Sequence, residues 1–258
     1  MTKKFLFVFI ITAALIFTGL LFKNGETSSL QSNNFSLNND LKRTCGTMEY
    51  LEMQYKMDPS YRQRFAEMEK YAEKYIKEHS EKDGDRTVIT IPVVVHVVWN
   101  TPVQNISDDQ ILSQIDVLNK DFRRLNSDTN LTPAPWKSLG ADCQIEFRMA
   151  RRDPNGNPTL GITRTQTSIT EFGQNTALKF TSQGGHDAWD RDRYMNLWVA
   201  NLGSQLLGYA TFPGGNASVD GVAIGYNYFG TVGTLQPPYN KGRTATHEIG
   251  HWLWLYHI

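Results

Sequence analysis

The sequence predicts an α/β (α+β) domain behind an exported leader. Three observations carry this. Thr87 to Trp99 is Val- and Ile-rich, short and without helical period, as in a strand buried on both faces of a mostly parallel sheet. From there the order runs strand, helix, several strands, helix, which is the layering of a sheet covered by helices. At the other end, Phe5 to Phe22 is an almost unbroken apolar run behind Lys3 and Lys4, the pattern of an export signal.

Taken in order, residues 1–23 read as a cleaved signal peptide, with an uncleaved signal anchor as the alternative. In both cases the rest of the chain is exported. Residues 24–40 are rich in Ser, Asn and Gly and form a flexible tether. Asp58-Pro59 supplies an N-cap followed by proline at the first helical position. Tyr61, Phe65, Met68, Ala72, Tyr75 and Ile76 then recur at helical spacing, and Glu73 and Lys77 add an i, i+4 pair. This predicts a helix over 59–79, ended by Glu81-Lys82-Asp83-Gly84-Asp85. A linker with a helical segment thus fills 24–85, and the domain proper fills 86–258.

The first strand of that domain contains Pro92, which calls for a bulge or an early strand position. Ser107-Asp108-Asp109-Gln110 is a capping box opening a helix that runs to about Arg124. Ile111, Ile115, Leu118 and Phe122 are its inner stripe. Further strands are expected at about 144–150, 194–200, 207–212 and 221–226, with turn-rich loops such as Asp153 to Pro158 between them. A last helix begins near Arg243.

Composition excludes some functions. Lys plus Arg and Asp plus Glu number 26 each, so no bulk charge draws nucleic acid or an anionic membrane. Membrane contact is expected only if the N-terminal segment stays uncleaved. The two cysteines, Cys45 and Cys143, are too few for a disulfide scaffold, although export permits a bond between them.

The last helix carries the chemistry. His247 and His251 are four apart, hence on one helical face, and Glu248 follows the first. Two imidazoles so placed grip one metal ion, and the carboxylate beside them reaches a water on it. Three neutral imidazoles with one open position make a catalytic zinc site, in which Glu248 acts as general base and returns the proton to the leaving amine. The bland alternative is a chance match on an amphipathic helix, with His247 and Glu248 solvated. Three features favour the metal: the helix follows a run of strands, a third histidine, His257, lies six residues after His251, and the chain is exported. On a continuous helix His257 would lie about 15 Å from His247 along the axis. The chain must therefore break after Leu253 and turn back, which calls for a positive φ at Trp254.

The segment resembles the metzincin zinc signature HExxHxxGxxH and, within metzincins, the pappalysin (cytophagalysin) family. His247, His251 and His257 fall on the ligand positions, Glu248 on the base, and Trp254 on the glycine. Ile91-Pro92-Val93-Val94-Val95-His96-Val97-Val98, Asn196-Leu197-Trp198-Val199 and Leu207 to Gly215 resemble the family as well, so the likeness covers roughly 87–258. It implies a metzincin-like upper subdomain: a twisted, mostly parallel five-stranded sheet with an antiparallel edge strand, a backing helix and an active-site helix. Leu207, Gly208, Tyr209, Ala210 and Thr211 would be the edge strand, able to bind an extended peptide by backbone pairing. The cofactor would be Zn(2+), with Ca(2+) sites as in some relatives, and the partners protein or peptide substrates.

Arg43-Thr44-Cys45-Gly46 resembles the cysteine switch of zinc protease zymogens, in which a thiolate takes the open metal position. That makes 24–85 a linker and propeptide, with cleavage expected near Asp85-Arg86. The alternatives are a Cys45–Cys143 disulfide or two inert thiols. Metzincins continue past the third histidine into a methionine-bearing turn, whereas all seven methionines here precede the zinc helix. The expectation is therefore the N-terminal catalytic subdomain alone. Function is expected to be that of a secreted, zymogenic zinc endopeptidase. The rivals are a zincin of another clan and an inactive exported binding protein. His96 is expected to be a satisfied core histidine and His186 a loop residue.

Overall fold

A computed structural model describes residues 44–79 and 87–257. The signal segment, the tether, Arg43 and the Asp85-Arg86 junction lie outside the described residues.

Strand β2 (Ile89–Trp99) is the hub of the sheet. Val93, Val94, Val95, Val97 and Val98 are all essentially without exposure, so both faces are covered, as the unbroken apolar run requires. β3 (Ile145–Met149) pairs in parallel with residues 89–93 of β2, and β4 (Ile162–Gln166) with residues 95–99. β5 (Met195–Ala200) pairs in parallel with residues 93–97. Val93 thus pairs with both β3 and β5, and Val95 with both β4 and β5, so β3 and β4 share one flank of β2. β7 (Val222–Gly225) follows β5 in parallel, and β6 (Leu206–Ala210) closes the row antiparallel to β7. The expected five rows are present, one of them built from two strands. A sixth row comes from outside the domain: β1 (Thr44–Cys45) lies parallel to β6 on its outer edge.

Pro92 takes the early position rather than the bulge. Val95 N–H donates towards the β4 flank, to Gly161 O. Alternation along the strand then turns the Pro92 nitrogen towards the β5 side, where pairing starts one residue later.

One sheet face, with Val93, Val95, Val97, Leu197, Val199 and Ile224, packs on two helices. These are α3 (Asp108–Phe122) and α4 (Arg243–Trp252). The capping serine works as expected, with Ser107 Oγ accepting from Gln110 N–H at 3.2 Å. The inner stripe is buried, and so are Gln110 and Gln114, which apolar periodicity does not flag. Gln114 donates to Gly242 O at 3.0 Å and accepts from Gly230 N–H at 2.7 Å. It thereby fixes the residue from which α4 starts.

The segment before the domain contributes two helices, α1 (Thr47–Met57) and α2 (Pro59–His79). α2 matches the expected bounds; α1, β1 and β4 were not anticipated. Tyr50 of α1 packs with Trp198 and Tyr209 on the second sheet face, while Leu51, Tyr55, Tyr61 and Phe65 gather on Phe212. The expected strand over 207–212 ends earlier, at Ala210. Thr211 still carries the ladder one step on, its N–H donating to Gly221 O at 3.0 Å, while its hydroxyl donates to Val219 O at 2.7 Å.

Candidate metal centre

α4 ends in a Schellman turn. Trp254 N–H donates to His251 O at 2.8 Å, and Leu255 N–H to Gly250 O at 2.9 Å. The residue between helix and return must then be left-handed, and Trp254 has φ +76°. This turn brings His257 back beside the helix. His251 Nδ1 lies 2.6 Å from Leu255 O, so that nitrogen carries the proton and Nε2 presents its lone pair.

The three Nε2 atoms of His247, His251 and His257 form a nearly equilateral triangle with edges of 3.1, 3.0 and 3.1 Å. Hydrogen bonds cannot account for all three contacts. Each Nε2 either holds a proton or offers a lone pair, so at least two atoms of the three are alike. A shared cation satisfies the set. Tetrahedral bonds of roughly 2.0–2.1 Å place ligand nitrogens about 3.3 Å apart, close to the observed spacing. Burial pushes His251 down to about 4 and lowers His247 too, so both favour the neutral form that a metal needs.

A fourth donor stands beside them. Cys45 Sγ and the three imidazole nitrogens lie within 4.8 Å of one another. Burial, then the neighbouring Glu248, push the Cys45 thiol up to about 12, so without a cation it holds its proton and points it at Glu248 Oε2, 3.4 Å away. Both cysteines are free.

Glu248 is 1 % exposed. Its Oε2 accepts from Thr47 Oγ1 at 2.7 Å, and its Oε1 is buried without a partner among the described residues. Burial pushes this carboxyl up to about 7, against the pull of the Thr47 and Cys45 hydrogen bonds. The carboxylate lies close under β6: a Cβ on Gly208 would fall 3.0 Å from Glu248 Cγ and 2.8 Å from Ala223 O. A side chain at 208 would push the strand off the helix. β6 itself has its outer edge occupied, since Thr44 N–H donates to Gln205 O at 2.8 Å and Gly46 N–H to Gly208 O at 2.9 Å.

The structure therefore brings together His247, Glu248, His251, His257 and Cys45, with Leu207 to Ala210 alongside. Thr211 follows directly, its N–H donating to Gly221 O at 3.0 Å as the next pair of the β6–β7 ladder. Thr47 is the site residue the sequence reading missed. His96 is a core residue, its Nδ1 2.8 Å from Thr163 Oγ1 and its Nε2 3.0 Å from Asn196 Oδ1. His186 stacks on it at 4.4 Å.

A mostly parallel sheet with one antiparallel edge, backed by a helix that carries two histidines and a tight turn that returns a third beside them, defines a metal centre of the metzincin type. Comparison with known proteins narrows this. Residues 179–258 match the family model Peptidase_M43, described as pregnancy-associated plasma protein-A. An extracellular metalloprotease of Arthroderma gypseum is 30% identical over 176 residues, covering 66% of this chain and 48% of that protein. One from Verticillium alfalfae is 32% identical over 184 residues, covering 67% and 52%. The chain spans about half the length of these curated relatives. Among solved structures, a Tannerella forsythia promirolysin mutant is 49% identical with a TM-score of 0.73, covering 84% of this chain and 70% of that one. Mature mirolysin in complex with a cleaved peptide is 55% identical with a TM-score of 0.65, covering 67% and 66%. This chain belongs to the pappalysin family of metalloproteases.

Proposed function

We propose that the chain carries the zinc site of a secreted endopeptidase made as a zymogen. His247, His251 and His257 hold the zinc, Glu248 is the general base, and residues 24–85 are linker and prosegment. The observation that carries this is the triangle of imidazole nitrogens set beside a buried carboxylate with one unpartnered oxygen. Zinc supplies a Lewis acid at that point. Glu248 takes the proton of the attacking water and delivers it to the departing amine. Leu207 to Thr211 bind the peptide by strand addition once β1 has left. Export through Phe5 to Phe22 fits the extracellular relatives.

Cys45 fits the fourth metal position, in keeping with a promirolysin neighbour, and the prosegment shields the edge strand at the same time. The test uses full-length protein. Wild type should hold one zinc per chain, and H257A should lose it on dialysis; full retention by H257A places the third ligand elsewhere. After prosegment removal, E248Q should cleave casein about 10²–10⁴-fold more slowly than wild type. Equal rates remove Glu248 from the reaction.

A further inference from the structure

The contact that metal ligation by Cys45 leaves unexplained is made by Thr47, the first residue of α1. Its Oγ1 lies 2.7 Å from Glu248 Oε2 and 2.9 Å from Ala210 N. An amide N–H can only donate, so the hydroxyl accepts from Ala210 and its own proton goes to the carboxylate. Thr47, Ala210 and Glu248 are 0, 1 and 1 % exposed, so water does not compete. Ala210 is the last residue of β6, and its N–H points away from β7 towards the edge where a peptide would pair.

We propose that Thr47 is a second latch, separate from the thiol. One hydroxyl occupies an oxygen of the general base and an amide of the substrate strand together, and it does so whether or not a metal is bound. The inference rests on Glu248 being the base. It deepens that reading by dividing latency between two chemically distinct contacts.

Full-length zymogen separates them, with zinc and after chelation, by hydrogen exchange at Ala210 and the first turn of α1. T47V keeps the shape and removes the hydroxyl; exchange should rise at least tenfold in both metal states. T47S keeps the hydroxyl and should stay within about threefold of wild type. C45A removes the acceptor of the Thr47 N–H, so it should accelerate exchange in the first turn of α1 in both metal states, but at Ala210, which Thr47 Oγ1 holds, only in the zinc-loaded protein. Autoprocessing should follow the same order. Unchanged exchange in T47V overturns the latch, and so does T47S behaving like T47V, since the methyl group would then be what matters. Wild type offers a check that needs no variant. The buried Thr47 hydroxyl proton should give a slowly exchanging resonance, and rapid exchange there overturns the proposal. If activated wild type is inert towards protein substrates, the protease reading fails, while exchange still decides whether the contact exists.

Discussion

At the scale of single residues, Trp254 holds a left-handed backbone conformation with a bulky side chain. A bulky side chain in the left-handed region costs about 1–2 kcal/mol, and a glycine or asparagine would avoid most of it. The Trp254 ring offsets this by packing at 5.5 Å on Phe65 of α2, next to Phe212. Replacing it with asparagine should relieve strain but lose an aromatic contact whose removal costs more, up to about 3–5 kcal/mol in a full core and less here because the ring is half-buried. W254N should therefore lower the Tm of the chain by several degrees while leaving its affinity for added zinc within about threefold. A Tm that rises would show that strain outweighs packing. The need for this turn was legible from spacing alone, since His257 cannot reach His247 and His251 along a straight helix. Thr47 was not legible. Its partners lie 201 and 163 residues away, and a threonine at a helix start has many ordinary uses.

At the scale of elements, the two helices before the domain act as one aromatic clamp. Phe65 is 5 % exposed and lies within 6.2 Å of the Tyr55, Tyr61, Phe212 and Trp254 rings. Tyr61 also donates from its hydroxyl to Phe212 O at 2.9 Å, and Tyr256 to Glu69 Oε1 at 2.7 Å. Truncating Phe65 removes packing worth about 3–5 kcal/mol, much of it at the contact between α2 and the domain. F65A should expose α2 to limited proteolysis at a much higher rate while β2 to β7 stay protected in hydrogen exchange. Equal loss of protection in both regions would show that the helices and the sheet unfold as one unit. α2 was readable because a proline start and a regular apolar stripe coincide. α1 carries a comparable stripe in Tyr50, Leu51, Gln54 and Tyr55, but its N-cap Gly46 makes no side-chain bond and gives no start signal. β4 escaped because only Ile162 among its five residues is apolar, as befits a half-exposed flank.

At the scale of the whole molecule, stability converges on β2, which joins three strands and carries a histidine in its middle. His96 is fully buried, and Asn196 Oδ1, which also accepts from Trp189 N–H at 2.8 Å, takes the His96 Nε2 proton. Thr163 then serves Nδ1, so the neutral ring is satisfied on both sides. Burial first, and the stacked His186 second, push His96 from its ordinary 6.5 down to about 3. The folded protein therefore binds this proton more weakly than the unfolded chain. As pH falls from about 6.5 towards about 3 the unfolded state gains a proton that the folded state refuses, and stability drops by up to roughly 1.4 kcal/mol per pH unit. Protons also compete with the metal for its site as pH falls, so wild type alone cannot isolate the effect. H96Q keeps an amide that can bond both Thr163 and Asn196 and carries no titratable group. Compared at equal metal loading, urea unfolding of H96Q between pH 6 and 4 should show a shallower loss than wild type, while the two converge in slope above pH 7. Parallel curves throughout would mean that the ring opens to solvent before the sheet unfolds, and that β2 is less of a hub than its pairings imply.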